Sequence, residues 1–219
     1  MFDAAGEPRP GFWDRVATAL QELNPLTRPL TSPLTRPLTR RELAAPGAPS
    51  LPARAWKGAE AVIAADWTRC AERQVSISVM LIEIDFFSDL RREQGGVVAT
   101  RRLLRVAELV RSHLPSTSRI VQLTGSSRLV ATLPDGPILL ARLAAEKIRR
   151  AALVTIPEVS RKAGDSLSIG VAAANPAEAG HRELLDGGVL ALGRAVARGR
   201  NRVDSIDLRS ELMRMAKAG

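Results

Sequence analysis

Residues 119–135 read RIVQLTGSSRLVATLPD. Two short apolar runs, Ile120–Leu123 and Leu129–Leu133, flank the small polar stretch Thr124-Gly125-Ser126-Ser127. Gly and Ser between β-prone runs signal a hairpin, because the turn needs φ > 0 and little side-chain bulk. The middle of the chain is therefore expected to hold an antiparallel strand pair.

On either side of this hairpin the pattern alternates between strands and helices. Ser76–Ile84 (SISVMLIEI) is a nearly continuous apolar run, which fits a central strand covered on both faces. Ser166–Ala173 reads as another strand and Val203–Ile206 as a last short one. Helices are expected at Ala59–Arg73, Thr100–Leu114, Ile138–Leu153 and Leu184–Arg198, the last ending at Gly199. In the second of these, Leu103, Ala107, Val110 and Leu114 fall at helical spacing, and Pro115 stops the helix. The order β–αα–β–β–α–β–α–β combines crossovers with one hairpin. It predicts an α+β fold, a mixed, antiparallel-containing sheet flanked by helices.

The first 52 residues read differently. Gly11–Leu23 places Phe12, Val16, Leu20 and Leu23 on one helical face. A Pro-Leu-Thr repeat follows, with prolines at Pro25, Pro29, Pro33 and Pro37, and then the loop Ala44–Pro52. A proline every fourth residue removes a backbone donor and disfavours helix just before it, so the repeat is read as a stiff linker. A docking peptide for a partner is the alternative. The expected division is 1–52, a helix plus linker, partly disordered; 53–207, the folded domain; and 208–219, a tail.

At 219 residues with 45% hydrophobic content, the chain can bury a real core. No stretch approaches the roughly 18 apolar residues of a membrane span. The opening MFDAAGEPRPGFWDR has early acids and no apolar run, so no secretory signal is expected. Cys70 is the single cysteine, and His113 and His181 lack the clustered spacing of a zinc site. A cytoplasmic protein is the expectation. The net charge of +9 is nearly all arginine, with lysine only at Lys57, Lys147, Lys162 and Lys217. Such usage reads first as the mark of a GC-rich genome, and only second as attraction to an anionic partner. With no Tyr and four Phe there is little aromatic surface to stack bases, which disfavours nucleic acid.

Four segments carry a family resemblance. Leu34–Leu43 (LTRPLTRREL) is similar to the opening segment of the GGDEF family, the bacterial diguanylate cyclases that join two GTP into cyclic di-GMP. Leu81–Phe87 (LIEIDFF) resembles the end of that family's first strand, Ser168–Ala172 reads SIGVA, and Gly199–Val203 reads GRNRV. They recur in family order and at family spacing, and they imply the palm-like nucleotide-cyclase fold. Joining two triphosphates needs divalent cations that bridge phosphate oxygens. Magnesium in turn wants converging oxygen ligands. The resemblance places Glu83 on the family's metal-binding Asp. Asp85, two residues on, would share its face if the strand continues extended.

The rest of that implied site departs from the family. Leu133-Pro134 anchors Gly125-Ser126-Ser127-Arg128-Leu129 on the GGDEF signature itself, leaving only the first Gly. An arginine in place of a metal-ligating carboxylate reverses the local charge and sets a permanent cation where magnesium would sit. The family's guanine-reading Asn and Asp fall on Arg91 and Thr100, and the His of its GH pair on Gly96. Its phosphate-contacting Lys falls on Val196, while Arg200 keeps the matching Arg as the candidate phosphate clamp. The RxxD inhibitory motif is replaced by Ser116-Thr-Ser-Arg119.

Three readings follow. The first is a non-catalytic regulatory or scaffolding protein linked to cyclic di-GMP signalling, acting through protein contacts and needing no cofactor. The second is residual diguanylate cyclase activity with Glu83 and Asp85 as vestigial magnesium ligands. The third is an anion-binding module in which Arg91, Arg92 and Arg128 gather to hold a nucleotide or nucleic acid. Active family members work as dimers because two GTP-loaded sites must face each other; a homodimer therefore stays open here.

Overall fold

Strand β1 (Ile77–Ile84) is the centre around which the sheet is built. It pairs antiparallel with β3 (Arg128–Pro134) on one side and with β4 (Leu167–Ala174) on the other. β2 (Arg119–Gln122) adds antiparallel to β3, and β5 (Val203–Asp207) adds parallel to β4, giving the order β2-β3-β1-β4-β5. This computed structural model describes residues 53–123, 126–155 and 166–208. The expected helix at Gly11–Leu23, the Pro-Leu-Thr repeat, the loop Ala44–Pro52, Gly125 and residues 209–219 lie outside the described residues.

The α+β architecture expected from the residue pattern is the one observed. All of Ile77–Ile82 is buried, as the continuous apolar run requires of a strand covered on both faces. The helices are α1 (Ala53–Glu72), α2 (Phe87–Gln94), α3 (Gly96–His113), α4 (Ile138–Thr155) and α5 (His181–Ala197). On one face of the sheet, α1 and α5 close a core of Ile63, Cys70, Val79, Leu81, Val130, Ala172 and Leu192. Helix α4 packs across β1, β4 and β5, and α3 packs on α2 and α4.

Two local expectations are corrected. The helix expected from Thr100 starts at Gly96, directly after Gly95, whose φ of 87° separates α2 from α3. Its buried face is Ala99, Leu103, Val106 and Val110, with Ala107 only half-buried. The true stripe runs one residue earlier at its middle, where 3.6-residue periodicity leaves Val106 and Ala107 nearly interchangeable.

Cys70 lies on α1 with 1% of its surface exposed. Burial pushes its thiol above the ordinary range, partly offset by a hydrogen bond with the Asp135 backbone. An acid held more tightly in the folded state contributes stability that is complete below its ordinary value of 9.0 and declines as pH rises beyond it. At pH 8 the folded chain is expected to react with a thiol reagent slower than the urea-unfolded chain by on the order of a hundredfold. Rapid labelling without denaturant would mean that α1 does not cover the sheet.

Candidate functional site

The C-terminal end of β1 opens into a cleft of about 1010 Å³. Its walls come from the β1 end (Glu83), the turn and helix beyond it (Phe86, Phe87, Arg91), α3 (Val97, Thr100, Leu103), the hairpin (Ser126, Ser127, Arg128) and the turn after α5 (Arg200). Ser126 ties together the described part of the hairpin turn. The Ser126 N–H donates to the Leu123 carbonyl at 3.1 Å, and the Ser126 hydroxyl accepts the Arg128 N–H at 3.1 Å. Such a side-chain-to-backbone contact two residues on is the usual service of Ser in turns. Leu129, next along β3, points into the core with 2% exposure.

Register sets the central contact. Pairing of β1 with β3 places Glu83 directly opposite Arg128. Arg128 Nε donates to Glu83 Oε2 at 2.6 Å, while Arg200 Nη1 donates to Oε1 at 3.1 Å. Both side chains of the first pair are mostly buried, at 17% and 13% exposure, so solvent screens it far less than an open surface pair. The Arg200 guanidinium also lies over the Phe86 ring, 4.9 Å from its centroid, within cation–π range.

Asp85 and Glu83 meet on the same Arg200 Nη1, at 3.4 Å and 3.1 Å, but Asp85 does not line the cleft as the expectation had it. The expectation rested on an extended strand, but β1 ends at Ile84 and Phe86 adopts φ 55°. Asp85 is fully buried instead. Its Oδ1 accepts the Ser168 hydroxyl at 2.6 Å and faces Arg200 Nη1 at 3.4 Å; its Oδ2 accepts the Ser166 hydroxyl at 2.7 Å and the Asn201 N–H at 3.0 Å. It holds the turn Gly199-Arg200-Asn201, whose φ values of 105°, 63° and 45° are all left-handed. The Asn201 carboxamide oxygen in turn accepts Arg149 Nη1 of α4 at 2.9 Å. Residue typing alone did not single out Ser166, Phe86, Asn201 or Arg149. Asn201 lies in GRNRV and Phe86 in LIEIDFF, so those motifs were the signal for them; no local pattern marks Ser166 or Arg149.

Of the three arginines expected to gather, Arg91 and Arg128 line the cleft. Arg92 is not among the lining residues; it faces solvent and pairs with Asp89 at 2.7 Å. Thr100 and Gly96 also line the cleft. Val196 packs against the core of α1, α5 and the sheet, and Arg119 approaches the buried Asp66 of α1 at 3.4 Å.

These residues do not fit a magnesium ion. Both Glu83 oxygens are taken by guanidinium donors, and the Asp85 oxygens are taken by hydroxyl, amide and guanidinium donors. Among the described residues no three His, Cys, Asp or Glu side chains come together to hold a metal. A hard divalent cation would have to displace two positive side chains to reach one carboxylate.

Solved structures share this fold. One is the active GGEEF domain of a diguanylate cyclase from Vibrio cholerae (21% identity, 66% of this chain and 92% of that one, TM-score 0.60). A second is the coiled coil and GGDEF domain of DgcB from Caulobacter crescentus in complex with c-di-GMP (17%, 88% and 93%, TM-score 0.61). A third is the diguanylate cyclase SiaD in complex with its activator SiaC from Pseudomonas aeruginosa (18%, 89% and 68%, TM-score 0.59). No curated protein matches the chain. Among the described residues no helix is long and apolar enough to cross a membrane. The family model for the GGDEF domain of diguanylate cyclases matches residues 54–202, and with that span the chain belongs to the GGDEF family.

Proposed function

We propose that this chain is a non-catalytic GGDEF protein, with the signature degenerated to GSSRL, that regulates or scaffolds cyclic di-GMP signalling through protein contacts. The observation that carries this reading is the Arg128–Glu83 contact at 2.6 Å. A guanidinium stands where the family's chemistry needs a carboxylate and a cation, and it is permanently charged. The core beside it is intact, which is what a fold kept for binding requires. SiaD bound to its activator SiaC supplies a precedent for a GGDEF protein working against a protein partner. Residues 1–52 and their Pro-Leu-Thr repeat are the candidate docking element.

The full chain incubated with GTP and Mg²⁺ or Mn²⁺ is expected to give no cyclic di-GMP above a Glu83→Ala control. That variant is also expected to leave the cellular role unchanged. Product that depends on Glu83 would overturn the proposal in favour of the residual cyclase. Pull-downs with and without residues 1–50, read by mass spectrometry, then test whether partner binding runs through that segment.

A further inference from the structure

Five of the six large apolar side chains exposed among the described residues lie on α3 and α4: Val97, Leu104, Leu139, Leu153 and Val154. Their exposure runs from 45% at Leu153 to 76% at Val154, and the sixth, Phe86, stands at the cleft. We infer that the outer face of α3 and α4 is a peripheral docking surface for an anionic lipid bilayer. The inference stands apart from the cleft and from the question of catalysis. Both helices are two-sided. In α3 the buried stripe is Ala99, Leu103, Val106 and Val110, and Val97, Arg101, Leu104, Glu108 and Arg111 are exposed opposite it. In α4 Ala141, Ala144, Ala145, Ile148 and Ala152 are buried, and Leu139, Lys147, Arg150, Leu153 and Val154 are exposed opposite them. At about 100° per residue, each exposed set keeps to about a third of the helix circumference. α3 packs on α4, so the two stripes lie on neighbouring helices.

The charge on this face has one sign. The exposed charged residues of the two helices are Arg101, Arg105, Arg111, Lys147 and Arg150 against Glu108. The other acid of α4, Glu146, is half-buried and accepts Arg149 Nε at 3.0 Å. Aliphatic side chains interleaved with cations suit the lipid headgroup region, where methyl groups enter the acyl boundary and cations stay with the anionic headgroups. The arrangement also selects a bilayer over a protein. A partner helix seated in a groove needs an unbroken apolar seam. Leu139 and Leu153 are instead about four turns apart on α4, with Lys147 and Arg150 between them on the same side. A bilayer is laterally continuous in both charge and apolar depth, so such interruptions do not weaken its grip. A second copy meeting this face with its own would set arginine against arginine.

Co-sedimentation of the full chain with vesicles tests the face. Binding is expected to vesicles of phosphatidylcholine and phosphatidylglycerol in equal parts, weakening with added salt and by about tenfold or more on phosphatidylcholine alone. Arg101→Ala and Arg150→Ala should each weaken it about fivefold. Leu104→Ser and Leu139→Ser should weaken it about threefold or more at low and high salt alike, because salt does not screen apolar insertion. Arg182→Ala, at an exposed arginine of α5, should change it by less than about twofold. All five positions are exposed and none lines the cleft, so the melting curves stay unchanged and a loss of binding reports on the face. No sedimentation with the mixed vesicles would overturn the bilayer in favour of a protein partner. Serine variants that bind like the parent, or an Arg182→Ala loss equal to that of Arg150→Ala, would reduce the effect to net charge and overturn it too. Sedimentation velocity without lipid covers the remaining occupant: a dimer that Leu104→Ser dissociates assigns the face to a second copy instead.

Discussion

Gly170→Ala is expected to melt far below the unsubstituted chain or to fail to fold. A Cβ at Gly170 would lie 2.2 Å from the Leu192 backbone N, 2.5 Å from the Gly188 carbonyl oxygen and 2.7 Å from the Leu192 Cα. All three are backbone atoms of α5, so no side chain can rotate away and the whole helix must lift off β4. That helix carries Leu184 and Leu192 into the core beneath α1. Overpacking typically costs about 1–3 kcal/mol and more where nothing can yield, so at least about 3 kcal/mol is expected here. For a domain of this size that lowers the melting temperature by about 6–12 °C. The partner position gives the control. A Cβ on Gly188 would meet the Leu81 Cδ1 at 2.7 Å, the end of a side chain that can shift, so Gly188→Ala should cost less. Circular dichroism melts decide it; a Gly170→Ala chain melting within about 2 °C of the parent would show the contact to be soft.

The glycine seam marks where the sequence stopped being readable. SIGVA was legible as a strand and as a family motif, because its apolar residues sit in a run buried on both faces. That its glycine admits a helix backbone depends on where α5 lands, which no local pattern encodes. The same holds at the site. Glu83, Arg128 and Arg200 could each be singled out by type and place, but the clamp they form is a consequence of register. β1 and β3 are far apart in sequence, and sliding one by a single residue would send Arg128 to the other face. Arg91 and Arg128 line one cleft because α2 and the hairpin both border the β1 end. Arg92, one position along a helix turning about 100° per residue, points elsewhere and pairs with Asp89. Asp85 leaves the cleft wall for a backbone reason: β1 ends one residue before it.

Two acidic residues two positions apart therefore have opposite duties. Glu83 borders the cleft, partly open, and orients charged side chains; Asp85 is sealed behind it and organises backbone. A variant at the first should free Arg128 and Arg200 at the cleft wall, whereas a variant at the second should alter whether the cleft exists. This separation makes paired substitutions informative, since two acids in one metal site would fail together.

Asp85→Ala is accordingly expected to lose about 3–5 kcal/mol, the range for breaking a buried charge pair by removing one partner. The cost has three parts. The Asn201 N–H loses its acceptor, the Ser166 and Ser168 hydroxyls lose theirs, and Arg200 keeps only Glu83. Each buried donor left unsatisfied costs about 1–3 kcal/mol, although the hydroxyls can rotate and Arg200 is 30% exposed, which holds the total near the lower figure. The consecutive left-handed residues Arg200 and Asn201 lose the acceptor that offsets their conformational cost. Asp85→Asn is the sharper variant. It preserves volume and one carbonyl oxygen, so hydroxyl contacts can rearrange around it. The amide NH₂ donates and cannot accept, so the remaining oxygen serves either the Asn201 N–H or Arg200, and the other donor is left facing the NH₂. Asn should therefore fall between the parent and Ala in urea unfolding, with the m-value unchanged. Glu83→Ala, at a partly open position, should cost less than either. An Asp85→Ala chain as stable as the parent would mean that the turn after α5 holds itself, and that Asp85 is free for another use.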